Sequence, residues 1–332
     1  MIIKGISDII LAVLNICKVK GDNMKVKDIL RKNVINISFE VFPQKYGQPM
    51  EPIKSTVDAI SKLNPAFCSV TYGANGGASE NTVKVASYIK NELKTSVLAH
   101  LTCVSSSKDD IDGKLQELKK NNIENILALR GDIIDTEKFE QKKDLLYASE
   151  LIEYIKDKYD FCVGAACYPE IHPESRNKDT DLAFLKLKQE VGADFFTTQM
   201  FFDNSIFYRF MYRLRSIGVK IPVIAGIMPV TNVIQLTRIK QLSNADIPAK
   251  FMSIADKFEN DKESMKQAGI IYACNQIIDL ISNDVNNIHI YTMNNASVAE
   301  EITKIFLISS INKISPIFKV LIYRLITFRK YQ

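Results

Sequence analysis

The sequence predicts an α/β fold, a closed (β/α)8 TIM barrel in a single domain, on three observations. Eight short runs rich in β-branched and aromatic residues recur, at 35–42, 67–72, 96–103, 125–130, 161–167, 194–200, 221–227 and 288–292. Helix-like segments separate them, which is the alternation a closed parallel barrel requires. Most of the runs end in a polar or ionisable residue rather than a neutral turn. In such a barrel the carboxyl ends of the strands meet at one mouth, so their terminal residues form one set however far apart they lie in the chain.

Taken in order, each element has its own warrant. The first run holds Glu40 between Phe39 and Val41, with Phe42-Pro43 after it. In the connector that follows, Pro52 stands where a first helical turn tolerates proline, and Ile53, Val57, Ile60 and Leu63 come at near-helical spacing. The loop Gly73-Ala74-Asn75-Gly76-Gly77 follows the second run. It is not the GxGxxG turn that an open doubly wound sheet carries after its first strand, nor a Walker A loop, because no Gly-Lys-Ser/Thr comes next. In the third run His100 and Cys103 are three residues apart, so alternation puts them on opposite faces and argues against a shared zinc site. The fourth run leads into Gly131-Asp132, where the glycine permits a tight turn or close backbone approach.

After the sixth run, Asp203 reads as an N-cap. The stripe Ile206, Phe207, Phe210, Met211, Leu214 and Ile217 then predicts an amphipathic helix ending before Gly218. Ahead of the eighth run, Met265, Ala268, Tyr272 and Gln276 share a long predicted helix with Ile270, Cys274, Ile277 and Ile281, enough for one buried face. The repetition is architectural, since no short sequence motif recurs.

With 332 residues, 46% hydrophobic and 24% charged, the chain can bury a full core and suits one large domain. Its formal charge of +5 is unevenly spread: residues 303–332 carry six Lys or Arg and no acid, and residues 1–24 carry three Lys and two Asp. The body between them is slightly acidic, which argues against a nucleic-acid footprint. The six cysteines, at 17, 68, 103, 162, 167 and 274, form no CxxC pair and fall mostly in predicted strands. Reduced core thiols and a cytoplasmic location are expected.

Three segments follow. Residues 1–24 form an N-terminal extension whose apolar stretch is interrupted by Asp8 and lacks an A-x-A cleavage site. The uncharged run 9–17 is too short to span a bilayer, so no transmembrane segment is expected, and Met24 reads as an alternative start. Residues 25–302 form the catalytic barrel. Residues 303–332 form a basic, apolar tail around Pro316, read as poorly ordered extra sequence ahead of a membrane-surface helix or a partner-docking segment.

A carboxylate inside a strand is costly to bury. Burial should raise the pKa of Glu40 and leave it partly protonated near neutrality, as a general acid needs; the alternative is a carboxylate paired with a basic neighbour. Asp132, taken alone, would be an ordinary strand-ending turn residue.

It belongs to a series, however. Phe39-Glu40-Val41-Phe42-Pro43-Gln44-Lys45, Ser69-Val70-Thr71-Tyr72-Gly73-Ala74, Ala99-His100-Leu101-Thr102-Cys103, Asn125-Ile126-Leu127-Ala128-Leu129-Arg130-Gly131-Asp132, Tyr168-Pro169-Glu170-Ile171-His172-Pro173-Glu174 and Thr198-Gln199-Met200-Phe201-Phe202-Asp203 occur in this order. Gly226-Ile227-Met228-Pro229-Val230 and Tyr291-Thr292-Met293-Asn294 continue it. From about residue 35 to residue 300 the series closely resembles the methylenetetrahydrofolate reductase family.

The resemblance implies a flavoenzyme that binds FAD at the barrel mouth and uses NADH or NADPH to make 5-methyltetrahydrofolate from the 5,10-methylene form. It implies Glu40 as the acid that assists ring opening, Asp132 as the carboxylate near flavin and pterin, and Gln199 as a substrate ligand, with Gln235 and Tyr291 as further substrate-side candidates. Without it, Gln199 would be a barrel-interior amide bonded to its neighbours. The flavin ligands it implies are Thr71, His100, Arg130, Gly131, Asp132, Tyr147, Ala148, Tyr168, His172, Asp181 and Lys188. Arg130 and Lys188 suit a pyrophosphate. Taken singly, Tyr147 would be a helix-start tyrosine and Asp181 an N-cap, and His289 reads as structural. Related bacterial enzymes imply a homo-oligomer.

Several positions depart from the family pattern. Gln44 replaces a second proline, Asn295 stands where the family has arginine, Ile239 occupies a position that carries an aromatic residue in some members, and Phe184 and Leu187 replace polar residues of the flavin-binding helix. These departures bear on nicotinamide affinity and flavin contacts. They keep open a flavin- and folate-binding subunit fed electrons by a partner flavoprotein. Another barrel flavoenzyme, related to proline dehydrogenase, is a further alternative and would not need Glu40 as an acid.

Overall fold

The computed structural model describes residues 24–30, 34–44, 47–72, 79–104, 106–132, 144–243 and 245–311. Cys17, Lys45, the glycine-rich loop at 73–77 and the tail beyond 311 lie outside the described residues. Eight parallel strands follow one another round a closed barrel: β1 (Asn36–Val41), β2 (Cys68–Val70), β3 (Val97–Thr102), β4 (Asn125–Leu129), β5 (Cys162–Cys167), β6 (Phe195–Thr198), β7 (Val223–Ile227) and β8 (Asn287–Tyr291). β8 pairs back onto β1, with Tyr291 opposite Glu40. Each sequence run contains its strand within a few residues, and the strands' single-residue alternation sorts the chain. Val163, Ala165 and Cys167 of β5 join the large apolar layer beneath the helices, while Cys162 faces the barrel interior.

The helices are α1 (Val26–Leu30), α2 (Glu51–Ser61), α3 (Ser79–Ser87), α4 (Lys108–Lys120), α5 (Ala148–Lys158), α6 (Lys178–Glu190), α7 (Asn204–Ser216), α8 (Val233–Leu242), α9 (Ala249–Lys257), α10 (Lys262–Ser282) and α11 (Ala296–Ile311). Asp203 caps α7 through the Ser205 N–H, and Gly218 beyond its end has φ +87°, as the sequence predicts. Two features go beyond that reading. The segment between β7 and β8 holds three helices rather than one, and α1 precedes the barrel.

Physically, α1 is a plug. Val26 and Leu30 pack with Phe67, Leu98, Leu127, Cys162, Phe195 and Ile224 in a second apolar cluster inside the barrel's amino end. The Asn125 side chain accepts from the Val26 N–H at 2.7 Å, and Asn36 donates to the Ile29 carbonyl at 3.3 Å. With the amino end filled by the plug and its Asn36 and Asn125 bonded to α1, the inward Glu40, His100 and Tyr291 stand toward the carboxyl end. The barrel's last helix, α11, runs past residue 302 to Ile311. Among the described residues no helix is long and apolar enough to cross a membrane.

Candidate active site

Four strands deliver this side of the mouth's interior. Alternation turns Ser38 and Glu40 of β1 inward, together with Ser69 of β2, His100 of β3 and His289 and Tyr291 of β8. Glu40 is mostly buried, its side chain 15% exposed, and desolvation raises its pKa to about 8. His100 Nε2 lies 3.7 Å from Glu40 Oε2, yet burial lowers the imidazole's pKa to about 4. Between those two values both groups are neutral, so the contact is not an ion pair. The basic-partner alternative for Glu40 therefore loses to desolvation. The Glu40 carbonyl accepts from the Thr292 hydroxyl at 2.9 Å, and Asn294, at φ +57°, both donates to and accepts from the Phe42 backbone. These bonds pin the tip of β1 against β8.

Below Glu40, His289 is held on both ring nitrogens, by Ser38 Oγ at 2.8 Å and Ser69 Oγ at 3.0 Å, and burial lowers its pKa to about 3. It is a satisfied buried histidine, as the sequence reading has it. Tyr291 donates its hydroxyl to the Thr198 carbonyl at 2.6 Å, and burial, with the Glu40 charge second, raises its pKa well above the usual phenol value. That hydroxyl is committed to the barrel wall. Gly226 makes room for it, since a Cβ there would stand 2.6 Å from the Tyr291 oxygen.

The opposite rim is built by β4, β5 and α6. Gly131 has φ +87° and packs so closely on Thr102 that a Cβ would lie 2.9 Å from the threonine's own, which explains the glycine before Asp132. Asp132 is exposed at the rim. Arg130 makes a two-pronged pair with Glu174, Nη2 to Oε1 at 2.7 Å and Nη1 to Oε2. Tyr168 and His172 meet edge to face, 4.7 Å between ring centres. Burial, and then the Asp132 charge, raise the Tyr168 hydroxyl.

Asp181 is not the cap of α6; Asn177 is, accepting from the Thr180 N–H at 2.9 Å. Asp181 instead accepts from the His172 N–H at 3.3 Å and the Ser175 hydroxyl at 3.1 Å, and so holds the loop after β5. Lys188 reaches the Ala166 carbonyl at 3.0 Å, and burial lowers its pKa. Tyr147 occupies the N-cap position of α5 and Ala148 its first turn.

The closed barrel thus gathers Glu40, Thr71, His100, Arg130, Gly131, Asp132, Tyr168, His172, Gln199 and Tyr291 at one end. Gln199 turns its amide oxygen back on the Met200 N–H at 2.9 Å. Gln235 stands apart on α8, its oxygen accepting from the Thr231 N–H at 2.7 Å as part of the turn into that helix. Sequence reasoning missed the Ser38–His289–Ser69 cluster, the Glu174 partner of Arg130 and the inward Thr197. Only their shared position at strand ends or on inward faces hinted at them.

A family model described as methylenetetrahydrofolate reductase matches residues 25–306. The chain belongs to the methylenetetrahydrofolate reductase family. Within that family it is 35% identical over 265 residues to 5,10-methylenetetrahydrofolate reductase of Escherichia coli (strain K12), covering 80% of this chain and 88% of that one. It is 32% identical over 283 residues to methylenetetrahydrofolate reductase (NADH) 1 of Arabidopsis thaliana, covering 81% of this chain and 48% of the plant protein. A solved structure of an uncharacterized protein from Clostridium thermocellum, which binds two copies of 5-methyl-5,6,7,8-tetrahydrofolic acid, superposes with a TM-score of 0.62 at 15% identity, over 85% of this chain and all (100%) of that one. That likeness is one of fold. The methylenetetrahydrofolate reductase match spans every strand of the barrel.

Proposed function

We propose that this protein reduces 5,10-methylenetetrahydrofolate to 5-methyltetrahydrofolate in the cytoplasm, as a homo-oligomer, with FAD bound at the barrel mouth and NADH or NADPH as reductant. One observation carries the reading: a glutamate at the inward tip of β1 whose burial keeps it protonated up to a pH of about 8. The five described cysteines are free and buried, which suits a reducing compartment.

The residues present fit a flavin. His100 Nε2 and Thr197 Oγ1 are buried polar atoms with no hydrogen-bond partner among the described residues, a cost of ~1–3 kcal/mol each that a bound polar ring would relieve. Arg130 and Lys188 would meet the diphosphate, and Tyr168, His172, Thr71, Tyr147 and Ala148 would line the rings and ribityl chain. Bound flavin supplies the hydride. Protonated Glu40 gives its proton to the ring nitrogen of the folate as the C–N bond opens, leaving a cationic iminium at the one-carbon unit. Asp132 stabilises that cation, and Gln199 orients the pterin.

The test is direct. Purified protein should be yellow, bleach with NADH or NADPH, and recover its colour on addition of methylenetetrahydrofolate. Recovery with no methyl product would overturn the proposal.

A second reading concerns the electron source. Ile239 is buried in an apolar cluster with Phe202, Leu236 and Phe251, and Asn295 spends its side-chain oxygen on the Ser297 hydroxyl at 2.9 Å. Neither offers a nicotinamide an aromatic face or a cation. Bleaching by a reduced flavoprotein but by neither nicotinamide would favour a partner-fed enzyme.

A further inference from the structure

Past the last paired residues of β1 and β8, backbone gives way to side chains. The register between the two strands ends with Glu40 opposite Tyr291. Thr292, 2% exposed, then donates its hydroxyl to the Glu40 carbonyl at 2.9 Å. Two residues on, the Asn294 amide accepts from the Phe42 N–H at 2.9 Å and donates to the Phe42 carbonyl at 2.8 Å. One side chain thus satisfies both backbone groups of a residue just beyond the strand, as a paired strand would.

The turn that carries this clasp is itself fixed. The Asn295 N–H closes it on the Thr292 carbonyl at 3.0 Å, with Met293 at φ +54° and Asn294 at φ +57°, the two positive values of a type I′ turn. The Asn295 side-chain oxygen accepts from the Ser297 hydroxyl at 2.9 Å and the Val298 N–H at 3.3 Å, which ties the turn to the start of α11. The chemistry of position 294 is narrow. Asparagine tolerates the left-handed region and carries a donor and an acceptor on one short side chain, whereas ionised aspartate has no donor and glycine has neither.

Glu40 depends on that clasp because its own carboxyl is not tied down. The carboxyl takes no hydrogen bond from the described residues; His100 Nε2 of β3 stands 3.7 Å away, and that imidazole is neutral above a pH of about 4. On β2 the paired residue is the uncharged Ser69, and on β8 it is Tyr291, whose hydroxyl is committed to the Thr198 carbonyl. His289, below, is neutral above about 3. With neither a charge nor a hydrogen bond to hold the carboxyl, its place follows from the backbone of the β1 tip.

We propose that Asn294 and Thr292 are positioning residues for folate reduction: their side-chain bonds to Phe42 and Glu40 hold the β1 tip so that the Glu40 carboxyl stays buried at the mouth and meets the folate nitrogen. This rests on the reaction proposed above.

Holoenzyme variants are compared by stopped-flow absorbance across pH. Reduction of the flavin by NADH or NADPH, or by dithionite, is followed separately from its reoxidation by methylenetetrahydrofolate. Asn294→Gly keeps the positive φ and removes both bonds to Phe42. It should slow reoxidation about tenfold, with flavin affinity and flavin reduction unchanged. In wild type the reoxidation rate should fall as pH rises through about 8. In Asn294→Gly that fall should move about one unit lower, because a loosened tip admits water to the carboxyl. Thr292→Val keeps the volume but loses the hydroxyl and should slow reoxidation about three- to fivefold, whereas Thr292→Ser should stay near wild type. If Asn294→Gly does not fold, the Thr292 pair carries the test. Wild-type rates and an unmoved pH profile in Asn294→Gly and Thr292→Val overturn the proposal. So does a parallel loss of flavin affinity, reduction and reoxidation, which would mark a role in folding alone. If the wild-type protein is not reoxidised by methylenetetrahydrofolate, the reaction reading itself falls. If wild type is reoxidised while the variants match it, only the clasp falls.

Discussion

At the residue scale, the proposed chemistry depends on a carboxyl group, that of Glu40, held neutral by burial. Glu40→Gln keeps shape and burial but removes the proton. It should still bind flavin and accept electrons from a nicotinamide, and should lose folate reduction by about 10²–10⁴-fold, measured as the rate of flavin reoxidation. In the wild type, that reoxidation rate should fall as pH rises through about 8, where Glu40 ionises. Stability should follow the same protons. Between 4.5 and about 8 the native state holds a proton on Glu40 that the unfolded chain releases, so this contribution is present at low pH and lost as pH rises. The histidines act in the opposite sense. His100 at about 4 and His289 at about 3 stay neutral in the fold while the unfolded chain binds protons below 6.5, so stability declines as pH falls through 6.5. Melting temperatures across pH should fall on both sides, and Glu40→Gln should flatten only the alkaline side. Glu40 was legible because a charge between Phe39 and Val41 stands out in a strand. Glu174 was not, because its partner Arg130 lies far away in the chain and only barrel closure brings them together.

At the element scale, close approach decides which residues are tolerated. Gly226 lets Tyr291 reach the Thr198 carbonyl, and Gly269 of α10 lies against the Val230 carbonyl in the loop after β7. Gly226→Ala and Gly269→Ala should each cost about 1–3 kcal/mol, read from urea or thermal unfolding. Gly226→Ala should also disturb the mouth, seen as altered flavin affinity, while Gly269→Ala should leave it nearer to wild type. The strands were readable from β-branched and aromatic density. The helices α8 and α9 were less so, because short connectors with partial stripes carry a weak periodic signal. Asp181 shows the same limit: its type suited a cap, but the chain placed Asn177 there and turned Asp181 to the loop after β5.

At the scale of the whole molecule, a hydrocarbon plug fills one end of the barrel and the polar strand tips gather at the other. The resemblance read from eight motifs and the family match over residues 25–306 agree on the chain's family. What a linear reading could not supply was the state of each group in that space, since neutrality of Glu40 and saturation of Arg130 depend on neighbours that only folding assembles. The most direct test of the central claim is flavin reoxidation followed by stopped-flow absorbance in wild type and Glu40→Gln. Protein is first reduced with NADH or NADPH, or with dithionite if neither serves, and then mixed with methylenetetrahydrofolate. Wild type should regain the yellow band and form 5-methyltetrahydrofolate, while the flavin of Glu40→Gln should stay reduced. Equal reoxidation in the two proteins would contradict the central claim.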